Sequence, residues 1–151
     1  MSIQPQPPLL LGKMSALPAS PEEAVLDCVE APLQRLAVRL SAPEFTSLCP
    51  ITSAPDFAHI VVDYVPDKLL IESKAFKLFL GSFRNHGAYH EKCTAMIFDM
   101  LNNAMKPEWL RVSAYWYPRG GIPIDVFVQS HSGLPHNIHL PPIDIPIYRA
   151  R

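Results

Sequence analysis

Glycine and paired cysteines are scarce in this chain of 151 residues. Its six glycines form neither a Gly-x-Gly-x-x-Gly fingerprint nor a Walker A loop, and the length is that of one domain, so a two-domain Rossmann dehydrogenase is excluded. Cys28, Cys49 and Cys93 include no Cys-x-x-Cys pair, so a structural zinc site has little support. Their odd number and wide spacing argue against a disulfide framework and predict a cytoplasmic protein.

A long apolar run and an excess of positive charge are also absent. No segment approaches the roughly 18 apolar residues that a membrane helix needs, and Met1–Gly12 lacks the basic region of a signal peptide. The sum of Lys and Arg is 13 and that of Asp and Glu is 14, which gives a net charge of −1 and no general positive field for a nucleic-acid backbone. We therefore expect neither a membrane nor a nucleic acid as a direct partner.

Proline, in contrast, is abundant and unevenly distributed. None of the 17 prolines lies between Pro66 and Pro107. Because proline breaks helix interiors, helices are expected in this middle segment, with strands and loops on either side. We expect residues 1–32 to be a partly loosely ordered leader, and residues 33–151 to form one domain with a proline-rich tail. The apolar content of 48% is enough for a globular core.

Hydrophobic periodicity predicts five strands and two helices. Alternating or β-branched segments predict strands at Leu33–Leu40, Ala58–Val65, Lys68–Ile71, Leu110–Tyr117 and Ile122–Gln129. Helical spacing begins at Ser73, a plausible N-cap, and a second helix is predicted over Ala88–Ala104. Adjacent strands and two intervening helices predict an α+β layer, an antiparallel sheet with both helices on one face. Such a sheet has open edges, which favours edge-to-edge assembly into a ring.

The segment Phe45–Phe57 (FTSLCPITSAPDF) contains a cysteine and an aspartate in a proline-bearing loop between predicted strands. A thiolate is a good nucleophile, and a nearby carboxyl group can donate or accept a proton. Cys49 and Asp56 are therefore candidates for covalent catalysis, although a free cysteine is more often a core residue. Cys93 lies on the apolar stripe of the second helix, and we expect it in the core.

Basic residues lie near the start of the first predicted helix. Lys74 and Lys77 are one helical turn apart, and ammonium groups beside a helix N-terminus can hold phosphates. Arg119 and Gly120, in the predicted hairpin, offer a guanidinium and an unobstructed backbone N–H. The alternative interpretation is a solvated basic helix face, which is the more common use of such lysines.

His90 and Glu91 lie at the junction of the two predicted helices. A carboxylate there can accept two N–H bonds from a planar edge such as that of a guanine, and His90 can add a donor or a proton. A glutamate near a helix start is also favoured by the helix dipole alone. His90 and Cys93 have the spacing of two metal ligands, but no third ligand is evident, so no metal is predicted.

Taken together, these segments resemble the NADPH-dependent 7-cyano-7-deazaguanine reductases, the nitrile reductases of queuosine biosynthesis, in their short single-module form. The resemblance extends from about Leu33 to Gln129. It is carried, in chain order, by Phe45–Pro50 with Pro55–Phe57, Glu72–Phe79 (ESKAFKLF), Ser82–Gly87 with His90 and Glu91, and Arg119–Ile122.

The resemblance implies the tunnelling fold, whose subunits join their sheets into cyclic homo-oligomers, a pentamer or a face-to-face decamer, with sites where subunits meet. It implies that Cys49 attacks the nitrile carbon to give a thioimide and that Asp56 supplies a proton to the nitrogen. Two NADPH per turnover would then give 7-aminomethyl-7-deazaguanine, which is destined for tRNA modification.

The resemblance also implies roles for the binding residues. His90 and Glu91 would anchor the purine-like substrate. The pocket would be lined by Ile71, Glu72 and Ser73, and NADPH would be held by Lys74, Lys77, Arg119 and Gly120.

One segment departs from the family pattern. The family usually has Thr-Gly-Gln-Pro-Asp where this chain has Thr52–Asp56 (TSAPD). Ser53 replaces the glycine, which affects the turn, but the spacing from Cys49 to Asp56 is kept. The leader and residues 130–151 lie outside the resemblance.

Two other functions fit the same fold class. A metal-dependent pterin or purine cyclohydrolase would share the purine-anchoring glutamate, but its Cys and His ligands are not evident, and Lys74 and Lys77 would have no obvious purpose. A non-catalytic purine-binding protein would need neither Cys49 nor Asp56.

Overall fold

The computed structural model describes Gly12 and residues 14–143; the remainder of the predicted leader and of the predicted tail lies outside the described residues. No helix in this part of the chain is long and apolar enough to cross a membrane. In chain order the elements are β1 (Cys28–Glu30), β2 (Val38–Leu48), β3 (Pro55–Val65), β4 (Leu69–Ile71), α1 (Ser73–Gly81), α2 (His90–Met105), β5 (Trp109–Arg119) and β6 (Ile122–Gln129).

Four of these strands form one antiparallel sheet in the spatial order β2-β3-β5-β6. Two hairpins, β2–β3 and β5–β6, are joined by the connection that contains both helices. A small second sheet pairs β1 with β4, so residues 28–30 of the predicted leader are hydrogen-bonded to the fold. The α+β class predicted from the sequence is confirmed.

The core lies between the sheet and the helices. Alternate residues of the central strands, among them Ile60, Val62 and Val112, are buried together with Phe79 of α1 and Ile97 of α2. Each such side chain contributes about 1.5–3 kcal/mol of hydrophobic stabilisation. This packing fixes the strand ends that carry the candidate site.

The strand register brings three of the predicted site residues to one end of the sheet. Leu48 pairs with Pro55, so Cys49 follows directly after β2 and Asp56 is the second residue of β3. Ala58 pairs with Trp116, which places the end of β5, and with it Arg119, at the same end.

The prediction of a strand at Leu33–Leu40 is wrong in its bounds, since β2 begins at Val38 and runs to Leu48. Pro43 lies inside this strand. The pairing with β3 shifts register between Ala42 and Phe45, and this bulge accommodates the proline without ending the strand.

The sequence predicted Ser73 as the N-cap of α1, but the structure shows that Glu72 is the N-cap. The Glu72 carboxylate accepts hydrogen bonds from the backbone N–H groups of Lys74 and Ala75, each at 2.9 Å, and from the Ser73 hydroxyl at 3.2 Å. Ser73 is the first helical residue, and its hydroxyl donates to the cap instead of capping the helix itself. The longer glutamate side chain reaches both free backbone donors at once.

The second helix begins at His90, two residues later than predicted, and ends at Met105. Lys106 has a left-handed backbone with φ of 47°, and Pro107 follows it. A left-handed residue followed by a proline is a common way to end a helix.

The other face of the sheet buries a charged cluster. Asp63 of β3 is fully buried and accepts hydrogen bonds from Arg39 Nε at 2.6 Å and from Arg111 Nη2 at 2.8 Å. Arg39 Nη1 also donates to the carbonyl oxygen of Pro142 at 3.1 Å, which connects the tail to the sheet.

Candidate active site

A tight turn between β2 and β3 holds Cys49. The Cys49 N–H donates to the carbonyl oxygen of Ala54 at 2.8 Å, and the Ser53 N–H donates to the carbonyl oxygen of Cys49 at 3.0 Å. To close this turn, Ser53 adopts a left-handed backbone with φ of 56°. This conformation is costly for any residue except glycine, and it falls at the position where the family usually has glycine.

Residues 86–88, just before α2, run parallel to the end of β2 and are hydrogen-bonded to it. Leu48 donates from its N–H to His86 O and accepts at its carbonyl oxygen from Ala88 N–H, both at 3.1 Å. A Cβ on Gly87 would lie 3.5 Å from Pro50 Cα, an ordinary contact distance. The cysteine turn is thus packed against the start of α2, and the loop position predicted for Cys49 is confirmed.

Several donors around Cys49 favour its thiolate form. The Thr52 hydroxyl contributes most, followed by the backbone N–H groups of Thr52 and Ile51; burial of the sulfur opposes them, and the Arg119 guanidinium adds a further hydrogen bond. Together they lower the pKa of Cys49 to about 6. The sulfur is therefore mostly ionised at neutral pH, as a nucleophilic cysteine requires.

Arg119 joins the cysteine to the aspartate. Its Nη2 donates to Cys49 Sγ at 3.2 Å, and its Nη1 donates to Asp56 Oδ2 at 3.5 Å. The Nε atom lies 3.4 Å from Asp56 Oδ1. The residue predicted to hold the cofactor therefore also contacts both predicted catalytic residues.

His90 completes this cluster from α2. Asp56 and His90 are only 5% and 4% exposed, and His90 Nε2 lies 3.3 Å from Asp56 Oδ2. This contact does not have the geometry of a hydrogen bond, and Nε2 has no hydrogen-bond partner among the described residues. The imidazole is stacked on the Trp116 ring, with centroids 4.1 Å apart and planes 6° from parallel.

A hydrogen-bond chain holds the stacked ring in place. Trp116 Nε1 donates to Thr94 Oγ1 at 3.3 Å, and Thr94 Oγ1 donates to the carbonyl oxygen of His90 at 2.7 Å. Trp116 and Thr94 are both buried. Stacking on Trp116 therefore fixes the plane of the His90 imidazole, and Thr94 links Trp116 to the His90 backbone.

The other predicted binding residues lie at the starts of the two helices. Glu91 is exposed in the first turn of α2. On α1, Lys74 is half-buried and Lys77 is exposed. Ile71 and Glu72 are buried and Ser73 is exposed, and the Glu72 carboxylate is engaged in capping α1. Burial raises the pKa of Glu72, but its backbone and hydroxyl donors outweigh burial and hold that pKa below its usual value.

Three residues of the site were missed from the sequence: Thr52, Thr94 and Trp116. The alternation of β5 already placed Trp116 on the core face, where an indole N–H needs a partner. Nothing in the sequence pattern indicated that the Thr52 hydroxyl faces the sulfur. Cys93 is buried as predicted, and burial raises its pKa to about 12.

Among residues 14–143, no group of three or more His, Cys, Asp or Glu side chains is placed to hold a metal ion. A cysteine with a lowered pKa next to a carboxyl group, an imidazole and a guanidinium, at one end of an α+β sheet, is the arrangement expected of the class of enzymes that use a cysteine nucleophile.

Comparison with known proteins identifies the family within that class. Residues 55–134 match the family model described as QueF-like protein. Proteins called NADPH-dependent 7-cyano-7-deazaguanine reductase are similar over 93% of this chain. The one from Zymomonas mobilis is 59% identical and covered over 97% of its length; that from Ruegeria pomeroyi is 59% identical and covered over 92%. The one from Synechococcus elongatus is 58% identical and covered over 82%. The chain belongs to this family of reductases.

A solved structure supports the fold. The archaeosine synthase QueF-Like in its apo form superposes with a TM-score of 0.60 at 26% identity, over 66% of this chain and 96% of that protein. The expectation of the tunnelling fold is confirmed. The names of the relatives favour the reductase over the cyclohydrolase and the non-catalytic binding protein.

Proposed function

We propose that this protein reduces the nitrile of 7-cyano-7-deazaguanine to the aminomethyl group, with Cys49 as nucleophile and Asp56 as proton donor. The observation that carries the proposal is the turn that presents Cys49 with a pKa of about 6 beside the nearly buried Asp56. The chain is 59% identical to a reductase of that name over almost its whole length. The product is a precursor for queuosine in tRNA.

The first step forms a covalent bond between the enzyme and the substrate. The Cys49 thiolate adds to the nitrile carbon, one C–N π bond opens, and Asp56 gives a proton to the nitrogen, which leaves a neutral thioimide. A nitrile accepts hydride poorly and a protonated thioimide accepts it more readily, so covalent catalysis divides a difficult reduction into easier steps. NADPH supplies the hydride of each of the two reductions, and the C–S bond breaks between them.

Substrate binding is assigned to His90 and Glu91 at the start of α2, with Ile71, Glu72 and Ser73 lining the pocket. The exposed Glu91 carboxylate is free to face the N–H edge of a purine-like base. Glu72 already accepts three hydrogen bonds, and two carboxylate oxygens have about four acceptor sites, so it has room for one more donor.

Cofactor binding is assigned to Lys74, Lys77, Arg119 and Gly120. Lysine and arginine are suited to the phosphates of NADPH. Gly120 has a left-handed backbone with φ of 59°, and a Cβ there would meet nothing within 4 Å, so its backbone is open to a ligand.

We further assign the protein to a cytoplasmic cyclic homo-oligomer, a pentamer or a face-to-face decamer, with one domain at residues 33–151. β2 and β6 each have one strand edge without a partner in the four-stranded sheet. Phe57, Tyr117, Ile122 and Phe127 are exposed apolar side chains on β3, β5 and β6. Such a patch beside open edges favours a second copy of the chain as its partner.

Light scattering after size exclusion tests the assembly; a monomer at micromolar concentration would contradict it.

NADPH oxidation with 7-cyano-7-deazaguanine tests the reaction. We expect two NADPH consumed per nitrile and, without NADPH, a mass adduct on the intact protein. Cys49→Ala should show neither turnover nor adduct, whereas Cys28→Ala, at a half-buried cysteine outside the site, should retain both. Turnover by Cys49→Ala would overturn the covalent mechanism, and no oxidation by the wild type would overturn the function.

A further inference from the structure

Arg119 contacts the catalytic pair through all of its guanidinium nitrogens. Nη2 faces Cys49 Sγ at 3.2 Å, while Nη1 and Nε face the two oxygens of Asp56 at 3.5 and 3.4 Å. Three of its five N–H donors face Cys49 and Asp56, so a phosphate bound to this guanidinium shares the cation with the thiolate and weakens that contact. A phosphate contact and the contacts seen here therefore compete for Arg119.

The backbone around Arg119 allows the side chain a second position. Its side chain is 44% exposed, and Gly120 and Gly121 follow it with φ of 59° and 81°. The pairing of β5 with β6 is irregular between Trp116 and Arg119, so Arg119 stands after a break in the ladder and before a glycine turn.

We propose that Arg119 is a positioning residue with two alternating partners: without nucleotide it holds the Cys49 thiolate and the Asp56 carboxyl group, and a bound NADP(H) phosphate draws it away from both. The proposal rests on the assigned role of Arg119 in cofactor binding. It couples nucleotide binding to the ionisation of the nucleophile. Because such coupling is reciprocal, the factor by which NADP⁺ lowers thiolate formation is also the factor by which the thiolate weakens NADP⁺ binding.

The other groups that face Cys49 set the size of the effect. Thr52 donates from the turn, Asp56 faces the site from β3, and His90 faces Asp56 from α2, with Cys93 deeper in the same helix. Unlike these groups, Arg119 carries a permanent positive charge, and its side chain is partly exposed to solvent. A phosphate can therefore reach it. When Arg119 leaves, the Thr52 donors remain, so the thiol becomes less acidic without reverting to an ordinary cysteine.

The experiment measures the pH midpoint for alkylation of Cys49 by iodoacetamide in the full-length protein, followed by intact mass, with and without saturating NADP⁺. A bound nucleotide that merely blocks access lowers the rate at every pH and leaves the midpoint unchanged. We expect NADP⁺ to raise the wild-type midpoint by about half a pH unit, a roughly threefold loss of thiolate below it, because Arg119 makes the smallest of the contributions that lower the pKa of Cys49. An unchanged wild-type midpoint under saturating NADP⁺ overturns the coupling, and this measurement needs no variant.

Two substitutions separate the contact from phosphate binding. Arg119→Ala should have a raised midpoint without nucleotide and no further response to NADP⁺. Lys77→Ala removes an exposed cation on α1 and should weaken NADP⁺ binding. Without nucleotide, its midpoint for Cys49 alkylation should equal that of the wild type. A wild-type midpoint in Arg119→Ala overturns the proposal. Binding of NADP⁺, followed separately by tryptophan fluorescence, and turnover report on the proposed function independently of these midpoints.

Discussion

Cys49 differs from the other two cysteines in what surrounds its sulfur. Burial raises the pKa of both Cys28 and Cys93, whereas the Thr52 hydroxyl, backbone N–H groups and Arg119 lower that of Cys49 to about 6. Thiolate chemistry is therefore confined to one of three chemically identical side chains. The difference comes from a five-residue turn and one arginine.

The Thr52 hydroxyl makes the largest contribution to this low pKa, which gives a prediction at the scale of one atom. Thr52→Val keeps the side-chain shape and removes the donor. Because attack needs the thiolate, the midpoint for thioimide formation should rise from about 6 by roughly one unit, with the rate lost on the acid side of the midpoint. The measurement is adduct formation against pH, without NADPH.

Thr46→Val is the matched control for that variant. Thr46 lies on β2, and its hydroxyl donates to Glu44 O at 3.5 Å and not to the site. Its profile should coincide with that of the wild type. Coincident profiles for all three proteins would show that Thr52 does not activate the cysteine.

Sequence reasoning identified the residues with distinctive chemistry and missed those that support them. Cys49, Asp56 and His90 were chosen as candidates because they combine thiol, carboxyl and imidazole groups in one pattern, and the structure brings all three together. Thr52 and Trp116 could not be found in the same way, since a surface threonine and a core tryptophan are ordinary in any protein. Only the turn and the strand register give them their roles.

At the scale of elements, the cysteine turn carries strain in its backbone. Ser53 has φ of 56°, and its N–H closes the turn on Cys49 O. Ser53→Gly should therefore raise the free energy of unfolding by about 0.5–1 kcal/mol, because glycine adopts this conformation without a steric penalty. Urea denaturation measures the change.

Ser53→Ala is the control for the glycine variant, because alanine retains the Cβ that causes the strain. It should give no gain in stability. If glycine lowers stability while alanine does not, the cost is chain entropy and the turn is not strained.

The stacked His90 depends on a helix and a strand being linked by Thr94. Thr94→Val leaves the buried Trp116 N–H without an acceptor, so unfolding free energy should fall by about 1–3 kcal/mol. Thr94→Ser keeps the hydroxyl and should lose less. A larger loss in Thr94→Ser than in Thr94→Val, by chemical denaturation, would mean that the methyl group and not the hydrogen bond matters.

Elements were easier to predict than their ends. Periodicity placed both helices and the β5–β6 hairpin, because amphipathic spacing reflects a buried face. It failed where local contacts override the pattern: Pro43 is accepted inside β2 by a bulge, and Glu72 rather than Ser73 caps α1. The bulge depends on the pairing of β2 with β3, and the cap depends on which of two adjacent side chains reaches the free backbone donors; spacing alone contains neither.

At the scale of the whole molecule, the buried cluster of Asp63, Arg39 and Arg111 joins three strands. Asp63→Asn leaves two arginines facing a neutral group and should cost about 3 kcal/mol of unfolding free energy. Glu108→Gln, which removes the exposed partner of Arg35, should cost less than about 1 kcal/mol. Chemical denaturation measures both losses. Equal losses of unfolding free energy in the two variants would contradict a structural role for the cluster.

The hairpin geometry has a consequence for a chain that is still being made. Cys49 and Asp56 flank one turn and meet as soon as β2 and β3 pair, whereas Arg119 lies 70 residues beyond Cys49 and reaches it only after β5 has joined the sheet. During synthesis the Cys49 sulfur therefore lacks its guanidinium until the penultimate strand is in place. If Cys49 is the nucleophile proposed above, its last hydrogen-bond donor arrives only when most of the sheet has formed.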